Sequence, residues 1–429
     1  MKKIIKLTLG AGVLATAGAA LVWALNVRDE VDVRAPVAAA SPSEALIARG
    51  AYIAKAGNCM TCHTALGGEK YAGGRGIATP FGTVFTSNLT PDEKTGLGTW
   101  SSAHFWRALH NGRSKNGRLL YPAFPYTSYT QVTREDSDAL FAFLRSLPPV
   151  AQANRAHELP FPYQSQAALA VWRALFFSPG VYEPDATRNA EWNRGAYLVK
   201  GLGHCSACHT ARNALGASTE GLDLAGGLIP MQNWYAPSLT SAQEAGVGDW
   251  DRAHIVSLFR TGVSPRASVT GPMAEVVQNS TQYLSAEDLG AMAQFLKELP
   301  RAASPATTAP TPTSTASATA VKGAELYEKH CAQCHGDKGQ GVANAYPALA
   351  GNRSVTMKST VNLVQIVLAG GYAPATQGNP RPFGMPPFVL VLGDGEVAAV
   401  LTYIRSAWGN QASDVTSLEV NRMRANQGR

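Results

Sequence analysis

The chain has 429 residues, of which 37 are Lys or Arg and 30 are Asp or Glu, for a formal net charge of +7. Hydrophobic residues make up 45% and charged residues 16%, which excludes a chain disordered throughout and leaves length for roughly three domains of ~100 to 150 residues. The basic excess is not gathered into a stripe with interleaved aromatics, so no nucleic-acid partner is expected.

Residues 1–30 read as a signal anchor or a signal peptide, with the anchor favoured by length. Lys2, Lys3 and Lys6 precede an uncharged stretch from Leu7 to Val27, and Arg28, Asp29 and Glu30 close it. A helix of that length spans about 30 Å, the thickness of a bilayer's hydrocarbon core. A cleaved signal peptide has a shorter apolar run followed by small residues, whereas Trp23, Leu25 and Asn26 stand in that place. The leading lysines put the short end in the cytoplasm and the rest of the chain on the periplasmic side of the inner membrane.

The body that follows is repetitive. Arg49-Gly50-Ala51-Tyr52-Ile53, Arg194-Gly195-Ala196-Tyr197-Leu198 and Lys322-Gly323-Ala324-Glu325-Leu326 each begin an amphipathic helix that leads into a Cys-x-x-Cys-His turn. All six cysteines belong to these turns: Cys59, Cys62 and His63; Cys205, Cys208 and His209; Cys331, Cys334 and His335. Two thiols three positions apart can form thioethers to the two vinyl groups of one haem, and the adjoining histidine reaches the iron. A thioredoxin-like pair needs no following histidine, structural zinc needs four ligands brought together, and disulfides leave the histidines unexplained. Three covalently bound haems c are the expected cofactors. Their propionates would offset much of the formal positive charge.

Gly98 to Gly112 matches Gly248 to Gly262 without a gap, pairing Trp100 with Trp250 and His104 with His254. Closing helices are expected over Arg134 to Leu147 and Ala286 to Leu299, after Thr133 and Ser285 as N-caps, with Met292 as packing. The expected architecture is all-α, with three small domains in tandem at 45–150, 191–300 and 321–408. Residues 151–190 form a connector too apolar to be free, residues 301–320 an Ala, Pro, Thr and Ser tether that lets the third domain move, and residues 409–429 a loose polar tail.

Met273, in Gly271-Pro272-Met273, and Met385, in Phe383-Gly384-Met385-Pro386-Pro387, are expected as the distal ligands of the second and third haems, each in a proline-bearing loop. The first domain has Phe124 in the corresponding loop, Tyr121 to Tyr126, and its first haem is left five-coordinate or water-ligated. His104 is read as structural; His110 sits nearer a haem edge than its axis, and His157 lies beyond the closing helix.

At these motifs, together with Ser87-Asn88-Leu89-Thr90-Pro91-Asp92 and Trp234-Tyr235-Ala236-Pro237, the chain resembles the triple-haem cytochrome c subunits of membrane-bound periplasmic dehydrogenases acting on alcohols, gluconate, sugar alcohols or aldehydes. The resemblance covers roughly residues 45 to 408. It implies cytochrome c domains, a catalytic dehydrogenase subunit as partner, and transfer to ubiquinone or another respiratory acceptor. Family members commonly carry a ligating methionine where Phe124 stands. A haem enzyme using an open first site and a stand-alone membrane-tethered carrier are the alternative readings.

Overall fold

The computed structural model describes residues 2–30, 33, 41–219, 221, 223–301 and 318–425, with side chains of the first helix from Gly12 onward. Nearly all of the expected tether lies outside the described residues. The chain divides into two compact units, the first comprising 1–184, 200–204 and 214–217, the second 185–199, 205–213 and 218–429.

In the first unit the helices of eight residues or more are α1 (Lys2–Val27), α2 (Glu44–Ala56), α3 (Ser102–Asn111), α4 (Arg134–Ser146) and α5 (Gln166–Phe176). In the second they are α6 (Ala190–Tyr197), α7 (Arg252–Thr261), α8 (Pro272–Asn279), α9 (Ala286–Lys297), α10 (Ala318–His330), α11 (Val361–Ala369), α12 (Asp394–Ser406) and α13 (Ser417–Ala425). The described residues are helix-rich, in keeping with the all-α expectation. Among the described residues four two-stranded antiparallel ladders are also present, Gly76–Thr79 with Gly82–Phe85, Gly227–Ile229 with Trp234–Ala236, Val263–Ser264 with Ala267–Ser268, and Gly371–Tyr372 with Gly384–Met385. Strands of two to four residues are too short to show an alternation in the sequence.

Three helix pairs repeat one packing device: α2 on α4, α6 on α9, and α10 on α12. At each crossing stands the glycine of the repeated lead-in. A Cβ on Gly50, Gly195 or Gly323 would overlap the carbonyl oxygen of Ala139, Ala291 or Ala399 respectively, so the two backbones meet with no room for a side chain. The preceding residue carries the matching charge. Arg49 Nε lies 2.9 Å from Asp136 Oδ1, Arg194 Nε 2.7 Å from Asp288 Oδ1, and Lys322 Nζ 3.5 Å from Glu396. Each acid is the third residue of its helix, where it also favours the helix dipole. Thr133 and Ser285 accept from the Asp136 and Asp288 backbone N–H groups, as expected of N-caps.

Among the described residues no helix is long and apolar enough to cross a membrane. The base of α1 is nevertheless built into the first unit. Asn26, 7% exposed, donates to Ala170 O at 2.8 Å and accepts from Arg173 Nε at 3.0 Å, while its own carbonyl accepts from Arg113. Glu30 stands 3.6 Å from Arg107 and 3.4 Å from Arg113. The connector helix α5 buries Leu169 and Arg173, and Trp172 donates to Leu215 O at 2.9 Å.

The polar tail is corrected: it is not loose. Val415 and Val420 enter the core of Leu363, Val364, Val397 and Leu401, and Arg424 of α13 donates to Asp394 Oδ1 at 2.6 Å and Leu392 O at 2.8 Å. Val420 is the one buried residue of α13, and a single buried position carries too weak a periodicity to announce a helix.

The expected independence of the third domain meets a docked arrangement inside the second unit. Asn362 on α11 accepts from the Tyr235 N–H at 2.9 Å and donates to the Tyr235 carbonyl at 2.7 Å, and Arg353 reaches Asp249 at 2.6 Å and Gly246 O at 2.9 Å.

Candidate functional site

Each Cys-x-x-Cys-His segment is a single tight turn. The His63 N–H bonds back to Cys59 O at 3.0 Å, His209 to Cys205 O at 2.9 Å and His335 to Cys331 O at 2.9 Å, so cysteines and histidine leave the turn together. No cysteine is in a disulfide. Burial, reinforced by the second thiol, pushes Cys59 and Cys205 up to about 12 and Cys331 to about 11, so the leading thiols stay protonated at neutral pH.

The three histidines share an orientation. Nδ1 of His63 lies 2.7 Å from Ser87 O, that of His209 2.7 Å from Pro237 O, and that of His335 2.9 Å from Pro347 O. A carbonyl only accepts, so Nδ1 carries the proton and Nε2 keeps its lone pair. Desolvation lowers all three pKa values and keeps the rings neutral. A neutral imidazole with its outer N–H tied to a carbonyl is the state in which histidine ligates a metal. The donor set therefore fits haem iron. Among the described residues, no group of three or more His, Cys, Asp or Glu is arranged to hold a bare metal ion.

These carbonyls explain the motifs that carried the resemblance: Ser87 opens the Ser-Asn-Leu-Thr-Pro-Asp run and Pro237 ends the Trp-Tyr-Ala-Pro run. Sequence reasoning assigns neither residue a function, and Pro347 stands in no motif at all. Their role is a backbone atom, which side-chain chemistry does not advertise.

Met273 and Met385 are half-buried but do not lie in irregular loops. Met273 is the second residue of α8, after Gly271 in the left-handed region at φ 54°, and Met385 lies in a strand paired with Gly371. Met385 and Cys331 pack on the same third-domain core. Met292 and Met357 are 4% and 3% exposed and fill cores, whereas Met231 is on the surface.

In the first unit Phe124 stacks at 5.4 Å on Tyr129, whose hydroxyl donates to Gly57 O beside the Cys59 turn. His104 closes a capping box with Ser101 at the start of α3. His157 Nδ1 accepts from the Phe85 N–H at 3.1 Å, which leaves its proton on Nε2 and removes the ligating lone pair. His110 is buried, donates Nδ1–H to Thr130 O at 2.9 Å, and stacks on Trp106 at 4.7 Å.

A cytochrome c family model matches residues 47–148 and 320–408. The cytochrome c subunit of a quinone alcohol dehydrogenase from Gluconacetobacter polyoxogenes is 39% identical over 89% of this chain and 84% of its own length. The gluconate 2-dehydrogenase cytochrome c subunit of Pantoea cypripedii is 37% identical over 90% and 91%. The cytochrome subunit of a fructose dehydrogenase from Gluconobacter japonicus is 34% identical over 93% and 86%. The chain belongs to the cytochrome c subunits of dehydrogenase complexes, whose domains carry covalently bound haem c and pass electrons from a catalytic subunit.

Proposed function

We propose that this subunit holds three haems c, on Cys59 and Cys62 with His63, on Cys205 and Cys208 with His209, and on Cys331 and Cys334 with His335. Met273 and Met385 would be the second ligands of the second and third haems, and no residue of the first domain is assigned that role. The supporting observation is the common orientation of the three histidines, each Nδ1–H held by a carbonyl. The bound haems supply one-electron redox chemistry. The chain's part is to orient the histidine ring and keep its Nε2 neutral and free to hold the group.

Dehydrogenase relatives support a catalytic dehydrogenase subunit as partner, and ubiquinone or another respiratory acceptor takes the electrons onward. The tether we assign is residues 1–30, on the lysines that precede the uncharged stretch from Leu7 to Val27, with the remainder of the chain in the periplasm. Retention of α1 is supported by its folded base: Asn26 and Glu30 satisfy Arg173, Arg107 and Arg113.

Mass measurement of the purified chain is expected to show three haem additions, and Cys208→Ala is expected to impair the second attachment alone. Fewer than three additions to the unaltered chain overturns the reading. Phe124→Met is expected to create a third methionine-ligated haem and to abolish carbon monoxide binding at the first site. Absence of carbon monoxide binding in the unaltered chain refutes the open first haem.

A further inference from the structure

The first two domains can be superimposed residue by residue through their hydrogen bonds. Gly73 N–H bonds to His63 O and Gly226 N–H to His209 O, both at 2.8 Å. Tyr71 and Leu224 N–H groups bond to the hydroxyls of Thr64 and Thr210 at 3.1 and 3.0 Å, and Leu89 and Leu239 N–H groups to the carbonyls of Tyr71 and Leu224, both at 2.8 Å. This register makes Leu66 the counterpart of Arg212, and Arg75 the counterpart of Leu228.

The two domains have thus exchanged an arginine and a leucine. Both leucines are on the surface, Leu66 fully and Leu228 at 61%. Both arginines are half-buried and reach one place from opposite sides of the loop. Arg75 Nη1 donates to Thr61 O at 2.6 Å, and Arg212 Nη2 donates to Ala207 O at 2.7 Å. Thr61 and Ala207 are the same residue of the attachment turn, the one before the second cysteine. What the two domains share is therefore the location of a guanidinium, not the sequence position that supplies it. A guanidinium hydrogen-bonded to the turn brings a permanent positive charge to the same point of both attachment turns.

We propose that Arg75 and Arg212 supply an equivalent positive charge at the first and second attachment turns, where each stabilises the reduced haem and raises its potential. The inference rests on the haem assignment proposed above. When a ferric haem takes one electron from the catalytic subunit, the charge of the site falls by one, so a nearby cation lowers the energy of the product relative to the starting state. Arg75 and Arg212 act as positioning residues through the field they set, not as ligands.

The test is a spectroscopic redox titration of the full chain with Arg75→Gln, Arg75→Lys, Arg212→Gln and the exchange pair Leu66→Arg with Arg75→Leu, with haem content measured by mass. Arg75→Gln is expected to lower the reduced-to-oxidised ratio of one haem at fixed ambient potential by on the order of tenfold, the effect of one partly screened charge. Arg212→Gln should do so for a different haem, Arg75→Lys should retain most of the ratio, and the exchange pair should restore it. Unshifted titrations in both glutamine variants, with or without a loss of thermal stability, reduce the arginines to structural caps and overturn the proposal. So does an exchange pair that behaves like Arg75→Gln. Missing haem in the unaltered chain would instead overturn the haem assignment.

Discussion

Gly195→Val is expected to lower the stability of the second unit by at least ~3 kcal/mol, because the new side chain meets backbone instead of a rotatable neighbour. A Cβ at that position overlaps Ala291 O and presses on the Phe295 Cβ at 2.9 Å, and Ala291 sits inside α9, whose own hydrogen bonds resist displacement. Prising α6 from α9 also opens the Arg194 to Asp288 ion pair and uncovers Phe295, which is 1% exposed. Calorimetry should show a melting temperature reduced by roughly 10 °C, at a few degrees per kcal/mol for a unit of this size. Gly395→Ala serves as the control: nothing lies within 4 Å of its Cβ, and a glycine-to-alanine change inside a helix should be neutral or stabilising by up to about 1 kcal/mol. A Gly195→Val chain that melts with the unaltered protein would show that the crossing is not close-packed.

Removing residues 1–30 is expected to destabilise the first unit by about 3–5 kcal/mol, the usual cost of stranding buried charge. Arg173 and Arg107 are 4% and 7% exposed, and burial already pushes both guanidinium pKa values down. Their partners Asn26 and Glu30 lie in the deleted segment, and Arg113 loses Asn26 O and Glu30 with them. A chain beginning near Val33 should still reach the periplasm behind a cleavable leader, but with a lower melting temperature for the first unit. Replacing Arg107, Arg113 and Arg173 by Met in the same shortened chain should recover part of the loss. Equal melting of full-length and shortened chains would mean that the base of α1 contributes nothing to the unit.

The Cys-x-x-Cys-His turns are legible in the sequence because their residues are contiguous and each turn closes on itself by a local backbone bond. The N-caps Thr133 and Ser285 are legible for a similar reason, as their bonds are local. His104 reads as structural from its repeat partner alone, although its capping partner Ser101 emerges only in the structure. The ladders and the helical tail are not legible, because short strands and a helix whose one buried residue is Val420 have almost no periodic signal.

By itself the sequence determined the haem c chemistry, the three Cys-x-x-Cys-His turns and the closing helices after Thr133 and Ser285, since each follows from covalent spacing or from local periodicity. Only the tertiary structure decided which nitrogen of each histidine is free, because Ser87 O, Pro237 O and Pro347 O are 24, 28 and 12 residues away from the rings they hold. It alone decided that α1 ends inside a folded unit, since Asn26 meets Arg173 across 147 residues. It also decided that Asn362 clamps Tyr235, two residues from the carbonyl that orients His209. Main-chain carbonyls are chemically identical at every position. Which of them faces a given imidazole, amide or guanidinium is settled by the path of the backbone, and that path is a property of the whole fold.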